Sequence, residues 1–148
     1  MLVKDAKELA RQWVIEEAGQ IRGFRGAFYH GSTSWLADDA LMPASSDVDV
    51  VIVLEGANPP NELGKLMYKG VVIDVSYLPR DQIRSPEQVL GVSHLAGSLR
   101  APSIITDPSG QLAELQAAVS KDYAKRRWVS RRERCDVLYR FRACRSNS

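Results

Sequence analysis

Helical periodicity marks three stretches of the chain, in which apolar residues recur every three or four positions. The first covers residues 4–18, and the second covers 85–98, where Ser85 followed by a proline is a typical helix start. The third begins at residue 111 and runs almost to the end of the chain. Because this last stretch is long for one globular helix, we expect a break near residues 128–130.

Strand patterns occupy the segments between these helices. Residues 24–30, 48–54 and 71–78 are rich in β-branched and aromatic residues, and 103–106 is a shorter run of the same kind. Helices and strands mixed along one short chain favour an α/β (α+β) fold, in which a small mixed β-sheet is flanked by helices and followed by a C-terminal helical segment. A chain of 148 residues is long enough to bury one such core.

Charge is distributed unevenly between the two parts of the chain. Residues 1–110 contain 10 Lys and Arg against 14 Asp and Glu, a net charge of −4, whereas 111–148 contain 10 against 4, a net charge of +6. We therefore predict a first domain over 1–110 and a basic helical C-terminal segment over 111–148. The basic segment offers a route to phosphates or nucleic acid, and a solvated helix face is the alternative. Near its cluster of arginines at 126–132 the interleaved aromatic residues are Tyr123 and Trp128, which is weak support for base stacking.

The composition excludes several classes of protein. A hydrophobic content of 45% and a charged content of 26% are ordinary for a globular protein, and no apolar run approaches the roughly 20 residues that span a bilayer. The N-terminal segment is charged and helical in pattern, unlike a signal peptide. Cys135 and Cys144 lie in an Arg-rich stretch, where we expect reduced, structural thiols in a cytoplasmic protein. No Cys/His spacing predicts a zinc site.

Two aspartates stand at the head of the most apolar strand. Asp47 and Asp49 are two positions apart, so in a strand their side chains project from the same face. Two like charges at this separation repel each other, and burying them unpaired is unfavourable. A divalent cation removes both problems, and carboxylate oxygens are the ligands that Mg²⁺ prefers. The pair therefore predicts half of a magnesium site.

A third carboxylate and a glycine turn complete the pattern. Asp74 lies inside an apolar strand, where a carboxylate is desolvated unless something pairs with it. Gly31 and Ser32 form a turn after the first strand, where glycine lets the backbone approach a phosphate and the serine hydroxyl donates to it. Three carboxylates on neighbouring strands beside such a turn suit metal-assisted phosphoryl or nucleotidyl transfer.

This order of residues resembles the nucleotidyltransferase superfamily related to DNA polymerase beta, and within it the aminoglycoside-nucleotidyltransferase-like domains. The matching residues are Gly31, Ser32, Asp47, Asp49 and Asp74, and the resemblance covers about residues 5–120. It implies a two-metal Mg²⁺ site on Asp47 and Asp49, with Asp74 as a further ligand or as the base for an acceptor hydroxyl. It also implies that Gly31 and Ser32 hold phosphates of a nucleoside triphosphate such as ATP.

The resemblance implies a reaction with two substrates. A nucleoside monophosphate, most simply AMP, would pass from the triphosphate to an unidentified hydroxyl acceptor, with release of pyrophosphate. Relatives carry a larger helical region at this point, so we expect 111–148 to be the start of such a region and its exposed apolar stripe to favour a homodimer. Two alternatives stay open: a non-catalytic nucleotide-binding module, and a minimal transferase that modifies a protein or RNA partner.

Other polar residues are candidates for the same site. Lys65 and Lys69 precede the strand that carries Asp74, and either lysine could reach a phosphate or be solvated. Arg100 could face the triphosphate, and His30 directly precedes the glycine turn. The 14 residues between Ser32 and Asp47 form an enlarged loop, in which we place part of an acceptor pocket.

Overall fold

The computed structural model describes residues 1–31, 36–43, 46–56, 64–100 and 102–146, with side chains as far as residue 136. These residues form five strands and five α-helices, which confirms the predicted mixed fold class. The strands are β1 Phe24–His30, β2 Val48–Leu54, β3 Gly64–Tyr68, β4 Val71–Pro79 and β5 Ile104–Thr106. The helices are α1 Val3–Glu16, α2 Pro86–Leu90, α3 Ser93–Leu99, α4 Gln111–Asp122 and α5 Arg126–Ser146. None of the described helices is both long and apolar enough to cross a membrane.

The strands form one mixed sheet in the order β3-β4-β2-β1-β5. Strands β2 and β4 run parallel, and the other neighbours in this sheet are antiparallel. Strand β2 lies at the centre and is buried along nearly its whole length, as its continuous apolar run predicts. Strand β3 was not predicted, because it is a short edge strand in which half-buried and exposed positions alternate and none is fully buried.

Helices cover both faces of the sheet. Helix α1 packs its buried Trp13 and Val14 against one face of the sheet. Alternate residues of β2 and β4 form this face: Val48, Val50, Ile52, Ile73 and Val75. Helices α2, α3 and α4 cover the other face, where the buried strand residues are Phe28, Val51, Val53 and Leu78. Because successive side chains of a strand point to opposite faces, Asp49 and Asp74 belong to this second face. They are half-buried there, next to the core that the helices seal.

The predicted helix over 85–98 is two helices. Helix α2 ends at Leu90 with Gly91 as its C-cap, and α3 begins at Ser93 after two intervening residues. The predicted start is confirmed: the Ser85 hydroxyl accepts from the backbone N–H of Gln88, and the Gln88 side chain accepts from the backbone N–H of Ser85. This capping box and the following proline fix the helix start.

The predicted break near 128–130 lies earlier, between Asp122 and Arg126. Arg132 explains this position, because it is buried and binds two carbonyl groups that the helix ends leave without helical partners. Its Nη1 donates to the Leu90 carbonyl at 3.1 Å and its Nη2 to the Tyr123 carbonyl at 2.5 Å, while its guanidinium lies 4.1 Å from the Tyr123 ring centroid. One arginine of the basic segment is therefore part of the core rather than of a solvated face.

Replacing Arg132 tests this role. We expect Arg132→Ala to lower the free energy of unfolding by about 2–4 kcal/mol, because two carbonyl groups lose a charged donor at a buried position. Arg134→Ala, at an exposed position of the same helix, should change it by no more than about 0.5 kcal/mol. Urea denaturation of both variants measures the difference, and equal stability of the two would contradict the assignment.

Candidate metal centre

The register of four strands places polar side chains in one row across the sheet. Asp49 of β2 lies opposite Asp74 of the parallel strand β4, and Asp74 lies opposite Lys65 of β3. On the other side, Asp49 lies opposite His30 of β1. Residues paired across neighbouring strands project from the same face, so these four side chains share the face that α2–α4 cover further along.

Asp47, Asp49 and Asp74 converge beside this row. Each offers one carboxylate oxygen, and the three oxygens lie within 4.8 Å of one another. All three residues are half-buried. The structure thus brings together the three carboxylates that the sequence singled out: Asp49 lies in β2, Asp47 directly precedes β2, and Asp74 lies in the adjacent strand β4.

Lys65 is the cation of this cluster. Its Nζ lies 3.1 Å from Oδ2 of Asp47, and its side chain is 68% exposed. The ion pair raises the pKa of the Lys65 ammonium, first through its hydrogen bond to Asp47 and then through the charge of that carboxylate, so the lysine stays charged. From the sequence, Lys65 could either contact a phosphate or be solvated. The sequence did not predict strand β3, whose pairing with β4 places the Lys65 side chain next to the triad.

The pKa of the Asp49 carboxyl group is raised. Burial in the first place, and then the charges of Asp47 and Asp74, raise the pKa of its carboxyl group to about 6 against a smaller opposing effect of Lys65. One lysine therefore does not neutralise three carboxylates.

Gly31 brings the chain of β1 close against Asp49. Its φ is +76°, in the left-handed region that favours glycine, and a Cβ at this position would clash with Oδ2 of Asp49. The absence of a side chain is thus required both by the backbone and by the carboxylate. Ser32, which the resemblance pairs with Gly31, lies outside the described residues, so its role stays a prediction.

His30 is held next to the triad by helix α3. The Ser98 hydroxyl donates to the His94 carbonyl at 3.0 Å, so Nδ1 of His30 must donate in its 2.5 Å contact with Ser98 Oγ. Partial burial and the neighbouring His94 lower the pKa of the His30 imidazole, which keeps it neutral. Its Nε2 therefore carries the lone pair.

The remaining candidates lie elsewhere. Lys69 is positioned over the Tyr68 ring, 5.2 Å from its centroid, and Arg100 lies 4.8 Å from the centroid of Tyr123. Asp38 of the enlarged loop lines a cleft with Lys7 and other residues, none of which belongs to the triad. An acceptor pocket in that loop stays a prediction.

The donor set fits a hard divalent cation. Every candidate ligand atom is a carboxylate oxygen, which suits Mg²⁺, Mn²⁺ or Ca²⁺ rather than Zn²⁺ with its preference for nitrogen and sulfur. The raised pKa of Asp49 reflects partial burial in the first place and the neighbouring charges of Asp47 and Asp74 in the second. Asp47, Asp49 and Asp74 would hold such an ion, and its charge would remove the repulsion among them.

The titration of Asp49 gives a test in metal-free protein. Its folded pKa of about 6 is above the unfolded value near 3.8, so its favourable contribution exists at low pH and is lost as the pH rises through 6. We expect Asp49→Asn to raise the free energy of unfolding in EDTA by about 1–2 kcal/mol at pH 7.5, reduced for solvent screening, and to change it little at pH 4.

Urea denaturation of the wild type and Asp49→Asn between pH 4 and 7.5 measures this gap. Asp39→Asn removes an exposed aspartate outside the triad and is the matched control, which should follow the wild type throughout. A gap that does not widen with pH would contradict the electrostatic account of the triad.

Two glycines separate backbone strain from the approach to Asp49. Gly31 and Gly70 both have positive φ, but a Cβ at Gly70 would meet nothing within 4 Å. We expect both alanine variants to lose about 1 kcal/mol of stability, whereas only Gly31→Ala should weaken Mg²⁺ binding, by about tenfold or more, because it displaces Asp49. Calorimetric titration with MgCl₂ distinguishes them, and equal Mg²⁺ affinities would refute this role of Gly31.

Comparison with known proteins adds no assignment to this geometry. No protein-family model matches the chain, and no curated protein matches it. The interpretation of the site therefore depends on the positions and charges of its own residues.

Proposed function

We propose that this protein is a Mg²⁺-dependent nucleotidyltransferase that transfers a nucleoside monophosphate, in the simplest case AMP, from a nucleoside triphosphate to an acceptor hydroxyl and releases pyrophosphate. The observation that carries the proposal is the convergence of Asp47 and Asp49, at the start of β2, with Asp74 of the adjacent parallel strand β4. A glycine turn against Asp49 adds to it, and the resemblance of the motif to the polymerase beta-related superfamily names the chemistry.

In this proposal the triad residues have distinct tasks. Asp47 and Asp49 hold Mg²⁺, and Asp74 either completes the metal site or accepts the proton of the acceptor hydroxyl. When bound, the metal would neutralise charge on the triphosphate oxygens as the acceptor oxygen attacks the α-phosphorus and pyrophosphate leaves. Both strands are anchored in the core, so the carboxylates are held in place before the substrates bind.

The residues around the triad support the same assignment. Gly31 lets the Asp49 carboxylate lie directly against the backbone where β1 ends, which keeps this candidate ligand next to the other two. His30 presents an unprotonated Nε2 in the row of the carboxylates, a position suited to accept a hydrogen bond from a substrate hydroxyl. The open end of the sheet face leaves the three aspartates accessible, since each is only half-buried.

Removing single carboxylates tests the proposal. We expect Asp47→Asn, Asp49→Asn and Asp74→Asn each to reduce Mg²⁺-dependent pyrophosphate release by about 100-fold or more, because each removes charge from the metal site. Asp5→Asn, at an exposed position of α1, should retain wild-type activity. A labelled-triphosphate assay with small-molecule, RNA and protein acceptors, run with and without Mg²⁺, gives the reading.

The same assay separates the alternatives. Full activity of Asp47→Asn and Asp49→Asn would refute the assignment of the metal ligands. Calorimetric binding of a non-hydrolysable triphosphate with Mg²⁺, but no pyrophosphate release with any acceptor, would instead indicate a nucleotide-binding module. Activity confined to a protein or RNA acceptor would identify the minimal transferase that modifies such a partner.

A further inference from the structure

Lys65 lies on the edge strand β3, beside the triad residue Asp74 of β4. Its backbone lies in register with Asp74, and its Nζ contacts Oδ2 of Asp47 at 3.1 Å. Asp47 is only 22% exposed at its side chain, whereas the lysine side chain is 68% exposed. The carboxylate is thus held by the fold, and its cation reaches it from the solvent side.

The two partners of this ion pair would respond differently if a divalent cation bound to Asp47. Asp47 is both a candidate metal ligand and the partner of Lys65, so a divalent cation and the ammonium group compete for the same carboxylate. An exposed ion pair of this kind is weak, and a lysine has a long flexible stem with a compact charge. Displacing the ammonium from Asp47 therefore needs no change in the backbone.

We infer that Lys65 is a triphosphate-binding residue of this site, whose ammonium neutralises Asp47 in metal-free protein and moves to the phosphate oxygens when Asp47 binds a divalent cation. The inference rests on the proposed function. In this exchange the ammonium group stays near the triad. There it could contact the β- and γ-phosphates of a triphosphate whose metal ion is held by the three aspartates. It keeps its positive charge in both positions.

Lys69 provides a matched control on the same hairpin. It lies four residues further along, in the turn between β3 and β4, and its ammonium group is 5.2 Å from the centroid of the Tyr68 ring. Both lysines carry the same charge next to the same sheet edge. Only Lys65 contacts a residue of the triad among the ion pairs of the described residues.

The exchange predicts effects of opposite sign from one substitution. In Lys65→Ala we expect Mg²⁺ alone to bind about two- to fivefold more tightly, because its competitor for Asp47 is gone. We expect a non-hydrolysable ATP analogue with saturating Mg²⁺ to bind about tenfold more weakly, because a charge-assisted contact is lost. Lys65→Arg should restore most of the analogue affinity, and Lys69→Ala should match the wild type in both titrations.

Isothermal titration calorimetry measures both affinities independently of turnover. Lys65→Ala that is indistinguishable from Lys69→Ala, or that weakens both ligands together, overturns the inference while Mg²⁺-dependent transfer by the wild type leaves the proposed function intact. Wild-type protein that binds Mg²⁺ but no triphosphate overturns both. Tighter Mg²⁺ binding combined with weaker analogue binding establishes the exchange.

Discussion

Electrostatic repulsion among three carboxylates is the constraint on which this site depends. The parallel register of β2 and β4 places Asp49 directly beside Asp74, and Asp47 precedes the same strand. The strands are fixed by the apolar residues on either side, so the carboxylates cannot separate without disturbing the core. Partial burial, together with the charges of Asp47 and Asp74, raises the pKa of the Asp49 carboxyl group. A divalent cation bound by these carboxylates would relieve the repulsion, which would favour its binding.

The rest of the site follows from how that repulsion is contained. The helices of the second face seal Val51 and Val53 but leave the acidic end of the sheet accessible, which keeps the aspartates partly hydrated. Gly31 yields the space that the Asp49 carboxylate occupies, and Lys65 supplies a cation to Asp47 from the sheet edge. These features are confined to the site. A ligand could therefore rearrange these side chains while the apolar residues on both faces of the sheet stay packed.

The sequence predicted the parts of this arrangement that depend on local pattern. Strands β1 and β2 begin and end where their apolar runs predict, and the spacing of Asp47 and Asp49 together with the central position of Asp74 was enough to predict the triad. Edge strand β3 was missed because it is short and only half-buried, and with it the direction of Lys65 was lost. The break before α5 was misplaced because no Gly or Pro marks it. A long-range contact sets its position, since Arg132 binds carbonyl groups of α2 and of the chain after α4.

Positive charge in this chain has roles that net charge does not reveal. Arg132 is one of ten basic residues in the C-terminal segment, yet it is buried and satisfies backbone carbonyls, so it contributes nothing to an anion-binding surface. Lys65 belongs to the acidic part of the chain, yet it is the cation closest to the predicted chemistry. A lysine on an edge strand also discourages pairing with another sheet. Alternate residues of β3 face opposite sides of the sheet, and because Lys65 is in register with Asp74 it faces the triad. The same lysine can therefore both protect the sheet edge and take part in the site.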